Sequence, residues 1–359
     1  MRAHAPPAQR TAAFKRLALC TSARALFGAS RVDALFAASY DVAESKRPRE
    51  SPISMLSVRH HPLSDFDRRI HNWQHAAKAV LGVTASLFPR EKIPADDLLV
   101  VNFHSTPRRM MDRFEDIVRF LAAEYRLIAP SVLGDYADGR LPSDPRPSAL
   151  ITFDDGIENQ YFAAKTLERH GIRGMFFVVP AFADEGKSEQ VNYYRAHIRH
   201  VINPHIDNRP EDMRAMGWGQ LRELRELGHE IGSHSYTHTI RVGNTSASER
   251  TREIVTSQKV IAERLGVEAA LIRSFCAPVD PRLSIGVAEM ALIKSHYQYF
   301  FTVFPGSNRD LRQPYAIRRV NLESFWMRST IRYAVSRWEW YRWQKKASRY
   351  EQEVVGGAT

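Results

Sequence analysis

The chain has 359 residues, 44% hydrophobic and 25% charged, which excludes wholesale disorder and fibrous repeats and allows one large domain with appendages or two modest ones. Two cysteines, Cys20 and Cys276, exclude a disulfide framework and a cysteine-rich zinc site. The formal charge of +11, from 51 basic and 40 acidic residues, invites a nucleic-acid or anionic-membrane reading. Its distribution argues against the first. Residues 1–31 hold six basic residues and no acid, residues 326–359 hold seven basic and three acidic, and 32–325 keep 38 basic against 37 acidic. A near-neutral body with two basic ends is a poor nucleic-acid-binding domain, so no nucleic-acid partner is expected.

Residues 1–54 are rich in Ala, Arg, Ser and Pro without periodicity and read as a basic, disordered leader, or as an over-extended start ahead of Met55, with a targeting peptide as the alternative. Residues 55–97 read as a helical extension, since Phe66, Ile70, Trp73, Ala77 and Val80 recur at spacings of three and four. After Pro94, short apolar runs alternate with helical patterns. Strands are predicted at 98–103, 149–153, 175–179, 230–232, 271–276 and 299–303. Helices are predicted near 111–125, 158–170, 217–227 and 248–265. Runs of four to six residues, apolar on both faces and separated by helices, are what a buried parallel sheet requires, so the fold class is α/β, a barrel or a doubly wound sheet. No run of 18 apolar residues occurs, so no membrane-spanning helix is expected.

In β/α folds, catalytic groups gather where strands end. The strand Ala149–Phe153 runs into Asp154-Asp155-Gly156, two acids that point different ways before a glycine that permits a sharp turn. One aspartate could cap the following helix; the second needs another use. A second strand-like stretch leads into His229-Glu230-Ile231-Gly232-Ser233-His234-Ser235-Tyr236-Thr237-His238. His234 and His238, four apart, would lie within about 40° of each other on a helical turn and could share a metal. His229 and His234, five apart and roughly 140° around a helix, do not make a zinc-protease pair. Together, one aspartate and two histidines are a credible three-ligand set with an open position, and the spare carboxylate is a base beside the water such a metal would hold.

Thr152-Phe153-Asp154-Asp155-Gly156 followed by His234-Ser235-Tyr236-Thr237-His238 resembles the first two motifs of the polysaccharide deacetylases, the NodB-homology group of carbohydrate esterase family 4. Gly171–Val178, and Trp218 leading a helix into Gly228-His229-Glu230-Ile231, extend the likeness over about residues 98–322. Asn102-Phe103-His104 is similar to an early strand-His element of one branch. The resemblance implies a distorted (β/α) barrel of the NodB-homology type with N-terminal and C-terminal helical extensions, its catalytic domain spanning 98–325. It implies a metal-dependent hydrolase that removes N-acetyl groups from amino sugars of a polysaccharide, oligosaccharide or glycolipid. Asp154 would be the general base, and Asp155, His234 and His238 the ligands of a divalent metal, with zinc expected. Trp218, Tyr236 and Pro278 would meet the N-acetylated carbohydrate.

Later motifs depart from the common pattern. Ser274–Asp280 stands in the third motif's place without the arginine that orients the base, and Arg273 lies too early. Ile317-Arg318-Arg319-Val320 is nearest to the C-terminal motif, but it has no acid histidine, and His104 is the preferred substitute. Two alternatives follow from these departures: a catalytically silent carbohydrate-binding relative, or a hydrolase of another non-peptide C–N bond. The polar insertion at 184–216 reads either as a sugar-binding lid or as a solvated loop. Phe325–Tyr350 reads as one long, basic, aromatic helix, packed on the barrel or lying peripherally on an anionic membrane. The expected compartment is the cytoplasm, with the inner membrane face and leader targeting as alternatives.

Overall fold

The computed structural model describes residues 94–140, 144–198, 209–309, 311 and 314–358, together with Val80 and Val83. The leader at 1–54 lies outside the described residues, as does the 55–97 helix apart from Val80 and Val83, both helical, and 94–97. The strands are β1 (Leu98–Phe103), β2 (Arg126–Leu127), β3 (Ser148–Phe153), β4 (Met175–Val178), β5 (Glu230–Ser233), β6 (Ser274–Cys276), β7 (Tyr299–Phe301) and β8 (Val320–Asn321). All pairs are parallel, in the order β7-β6-β5-β4-β3-β1-β8, with β2 beside β3. The segment from Ile317 to Asn321 joins the two ends. Ile317 bridges Phe301 of β7, while Val320 and Asn321 pair with Val101 and Asn102 of β1. The result is a distorted (β/α) barrel.

Helices α1 (Met111–Glu124), α2 (Asn159–Arg169) and α3 (Trp218–Glu226) cover the outside, each presenting buried apolar residues to the sheet. The sequence predicts one helix over 248–265; the structure gives Ala247–Thr251 and Ser257–Leu265 joined by a π turn, Arg252–Thr256, here together α4. Strand alternation then decides which side chains enter the barrel. Leu99, Val101, Phe103, Ile151 and Phe153 face the helices, whereas Leu98, Val100, Leu150, Phe177, Cys276, Phe301 and Ile317 fill the interior. Continuing the inward series at the strand ends places Asn102 after Val100, Asp154 after Leu150 and Thr152, His234 after Gly232, and Arg319 after Ile317.

The predicted single helix at 325–350 is two, α5 (Arg328–Ala334) and α6 (Arg337–Tyr350). No glycine or proline marks the break; Ser336 turns back, its hydroxyl donating to Tyr333 O. Trp326 and Trp340 are buried in the main core, and Trp343 packs on Phe304. Lys294 Nζ donates to Val355 O and Ala358 O at 2.7 and 2.6 Å, fixing the tail. These aromatics therefore serve packing. Trp340→Ala is expected to cost about 3–5 kcal/mol, read as a lowered urea midpoint at unchanged m-value; a midpoint within error of the parent would refute this packing role.

Candidate active site and metal centre

The sequence TFDDG folds so that its two aspartates part. Asp154 follows β3 and stays in the inward series, its N–H donating to Phe103 O. Asp155 has φ 76° and Gly156 φ 69°, so the chain reverses and the second carboxylate swings to a different neighbourhood. A side chain at Gly156 would be strained at this φ and would press on Val178 Cγ1 at 3.1 Å. Neither aspartate caps α2, whose preceding residue is Glu158.

Asp154, 1% exposed, is held by Arg319, also 1% exposed, in a two-pronged ion pair. Arg319 Nη1 donates to Oδ1, and Nη2 donates to Oδ2 at 2.8 Å. The remaining guanidinium protons go to Thr302 O (2.9 Å), Thr152 Oγ1 (3.3 Å) and Cys276 Sγ (2.8 Å). All five donors of the fork are thereby used. Asn102 Nδ2 donates to Asp154 Oδ2 at 3.2 Å. Burial alone would raise the Asp154 carboxyl; the charge of Arg319, then of His234, outweighs it and holds it below the ordinary carboxylate range.

Asp155 Oδ1 lies 3.4 Å from His234 Nε2 and 3.6 Å from His238 Nε2, and all three side chains are buried. Its Oδ2 is buried with no hydrogen-bond partner. His234 and His238 do not share a helical turn as the spacing predicted. They flank a loop after β5 in which Ser235 (φ 64°) and His238 (φ 67°) take left-handed backbone and bring the rings to 5.1 Å. The outer nitrogens are anchored: His234 Nδ1 to Cys276 O at 3.2 Å, His238 Nδ1 to His197 O at 2.8 Å.

Donors around a tetrahedral zinc at ~2.1 Å sit roughly 3.4 Å apart, close to the spacing here. The unpartnered Asp155 oxygen, the two Nε2 atoms and the anchored outer nitrogens make a nitrogen- and oxygen-donor set that fits a divalent metal. Burial pushes His238 down to about 4, neutral as a ligand must be, whereas the acidic groups around it, Cys276 and Asp154 first, push His234 well up, so a metal binding there would displace a proton. Asp154, His234 and Cys276 also converge, but the Arg319 guanidinium already provides the positive charge beside that set.

His104, at the end of β1, has its side chain 27% exposed and places Nε2 3.8 Å from Asp154 Oδ2. Gln160 Nε2 ties the two strand ends, donating to His104 O at 2.6 Å and to Asp154 O. Tyr236 is half-buried between the two histidines, and Pro278 is buried two residues past Cys276. Trp218 is bonded through Nε1 to Asp184 Oδ1 at 2.8 Å rather than to any of these groups. Arg273 does not orient Asp154; it pairs with Glu230 at 2.6 Å at the opposite end of β5.

The sequence profile of the polysaccharide deacetylases matches residues 142–279, which include Asp154, Asp155, His234 and His238. The chain carries a polysaccharide deacetylase domain. Among solved structures, the BpsB deacetylase domain of Bordetella bronchiseptica is similar at 22% identity over 66% of this chain and 98% of that one, with a TM-score of 0.48. IcaB of Ammonifex degensii is similar at 19% identity over 70% and 99%, TM-score 0.49, and the Streptococcus pyogenes deacetylase PplD at 14% over 64% and 93%, TM-score 0.49. No curated protein matches the chain in sequence. The deacetylase domain thus holds the aspartates and histidines, while Arg319 and His104 come from outside the matched span.

Proposed function

We propose that this chain is a metal-dependent N-deacetylase that hydrolyses the acetamide of N-acetylated amino sugars in a polysaccharide, oligosaccharide or glycolipid. The observation that carries the reading is the division of labour between adjacent carboxylates. Asp154 is locked on Arg319, and Asp155 faces two imidazoles with a buried oxygen to spare.

Asp155, His234 and His238 would hold the metal, with zinc the ion that best fits two imidazoles and a carboxylate. When bound, it supplies a Lewis acid that polarises the acetamide carbonyl. Asp154 is the base that takes a proton from the attacking water. Arg319 keeps it ionised at neutral pH and fixes the plane of its two oxygens. Two lone pairs of Asp154 accept from the guanidinium and a third from Asn102; the fourth, on Oδ1, has only the Cys276 thiol at 3.9 Å, which also reaches Ala277 O at 3.4 Å, and can receive that proton. His104, partly exposed beside the sealed Asp154, is the group that returns a proton to the departing amine. Tyr236, flanked by the two metal ligands, and Trp218 and Pro278 are the proposed sugar contacts.

The test is metal content together with acetate release from N-acetylglucosamine oligomers. The expected result is one divalent ion per chain, a fall in rate of roughly 100-fold or more on chelation, and recovery with added zinc. Undiminished acetate release from the metal-free protein would overturn the reading.

A further inference from the structure

The segment between β4 and α3 reads, from sequence, either as a lid or as a solvated insertion. Its described part reaches the metal centre directly. A ligand imidazole needs its second nitrogen held, and for His234 the barrel itself does this through Cys276 O on β6. For His238 the acceptor is His197 O at 2.8 Å, which belongs to the insertion. His197 sits in a π turn, Tyr194–Ile198, a backbone form concentrated at functional sites.

The residue just before that turn fastens it to the ligand loop. Tyr193 Oη donates to Thr237 O at 3.2 Å, next to His238. Its ring stacks on Phe182 with centroids 5.5 Å apart and planes 15° apart, and lies 4.6 Å from the His197 ring. Phe182 is fully buried just after β4, and its neighbour Ala181 donates through N–H to Tyr236 O at 3.1 Å. Both ends of the connection are therefore anchored in the barrel. The loop between them needs such support, because Ser235 and His238 occupy backbone conformations that residues other than glycine adopt unwillingly.

We infer that residues 184–198 of the insertion are part of the metal centre, with Tyr193 a positioning residue that sets the orientation of His238 through the His197 carbonyl. This rests on the metal-centre reading above. It gives the insertion a role in metal affinity independent of any sugar contact.

The experiment titrates metal-free protein with Co2+ and with Zn2+ against a competing chelator, following the Co2+ absorption bands, with circular dichroism of every variant. Tyr193→Ala is expected to weaken binding roughly 10- to 100-fold, the range for loss of an outer partner of a ligand histidine. Tyr193→Phe keeps the stack and loses one hydrogen bond, so a fall of roughly 2- to 10-fold and altered Co2+ bands are expected. Failure of the parent to bind any divalent metal would overturn the metal-centre reading itself. Parent-like affinity and Co2+ bands in Tyr193→Phe, or in a folded Tyr193→Ala, would overturn this inference alone.

Discussion

Arg319→Met is expected to destabilise the protein by about 3–5 kcal/mol at pH 7, because it strands the buried Asp154 carboxylate. The guanidinium spends all five donors inside the barrel, two of them on Asp154, so the loss is of a whole network. The pH dependence gives the diagnosis. In the parent, the Asp154 carboxyl is below its ordinary range, so its contribution is full above the unfolded carboxyl value of about 3.9 and fades as pH falls through the lower folded value. Without Arg319, burial is left to dominate and raises that carboxyl. The variant then gains stability relative to the parent as pH falls and Asp154 takes up a proton. Urea unfolding at pH 7 and pH 4 measures this, and a deficit equal at both values would refute the coupling. The acid limb of acetate release should also move to higher pH.

This arginine also marks where the sequence stopped being legible. The barrel strands could be read because strands buried on both faces leave uninterrupted apolar runs, as in Leu98–Phe103 and Ser148–Phe153. The adjacent aspartates and the two histidines could be read because their spacing lies within single loops. Arg319 is 165 residues from Asp154, and its role exists only because Ile317–Asn321 closes the barrel between β7 and β1. One signal was present: Ile317, Arg319 and Asn321 alternate with Val320 and Leu322, a period of two that puts an arginine in an inward series. The two-residue β8 is too short to stand out as a strand, so that alternation stayed mute. The histidine geometry failed for a different reason. A spacing of four suggests a helical turn, whereas the rings meet through left-handed backbone at Ser235 and His238, which spacing does not encode. The break at Ser336 likewise carries no glycine or proline, and depends on how Trp340 and Trp326 enter the core.

Asp154→Asn is expected to lower acetate release by roughly 10²–10⁴-fold, the usual contribution of a positioned base, while leaving metal content intact. The separation follows from the wiring. Asp154 touches Arg319, Asn102 and the vicinity of His104, whereas the proposed metal donors are Asp155, His234 and His238. An amide at position 154 accepts through one oxygen only and turns N–H groups toward the guanidinium, so part of the stability lost in Arg319→Met should be lost here too. Asp155→Asn is the necessary companion. It removes the carboxylate that both imidazoles face, so its deficit should appear first as weakened metal binding and be partly reversed by excess zinc. Excess zinc should do nothing for Asp154→Asn, whose defect is in proton transfer. Measured together, rate and bound metal assign the two neighbours separate tasks. If Asp154→Asn instead lost its metal, or Asp155→Asn kept metal affinity while losing rate, the division between base and ligand would be reversed, and the direction of the Gly156 turn would have to be explained anew.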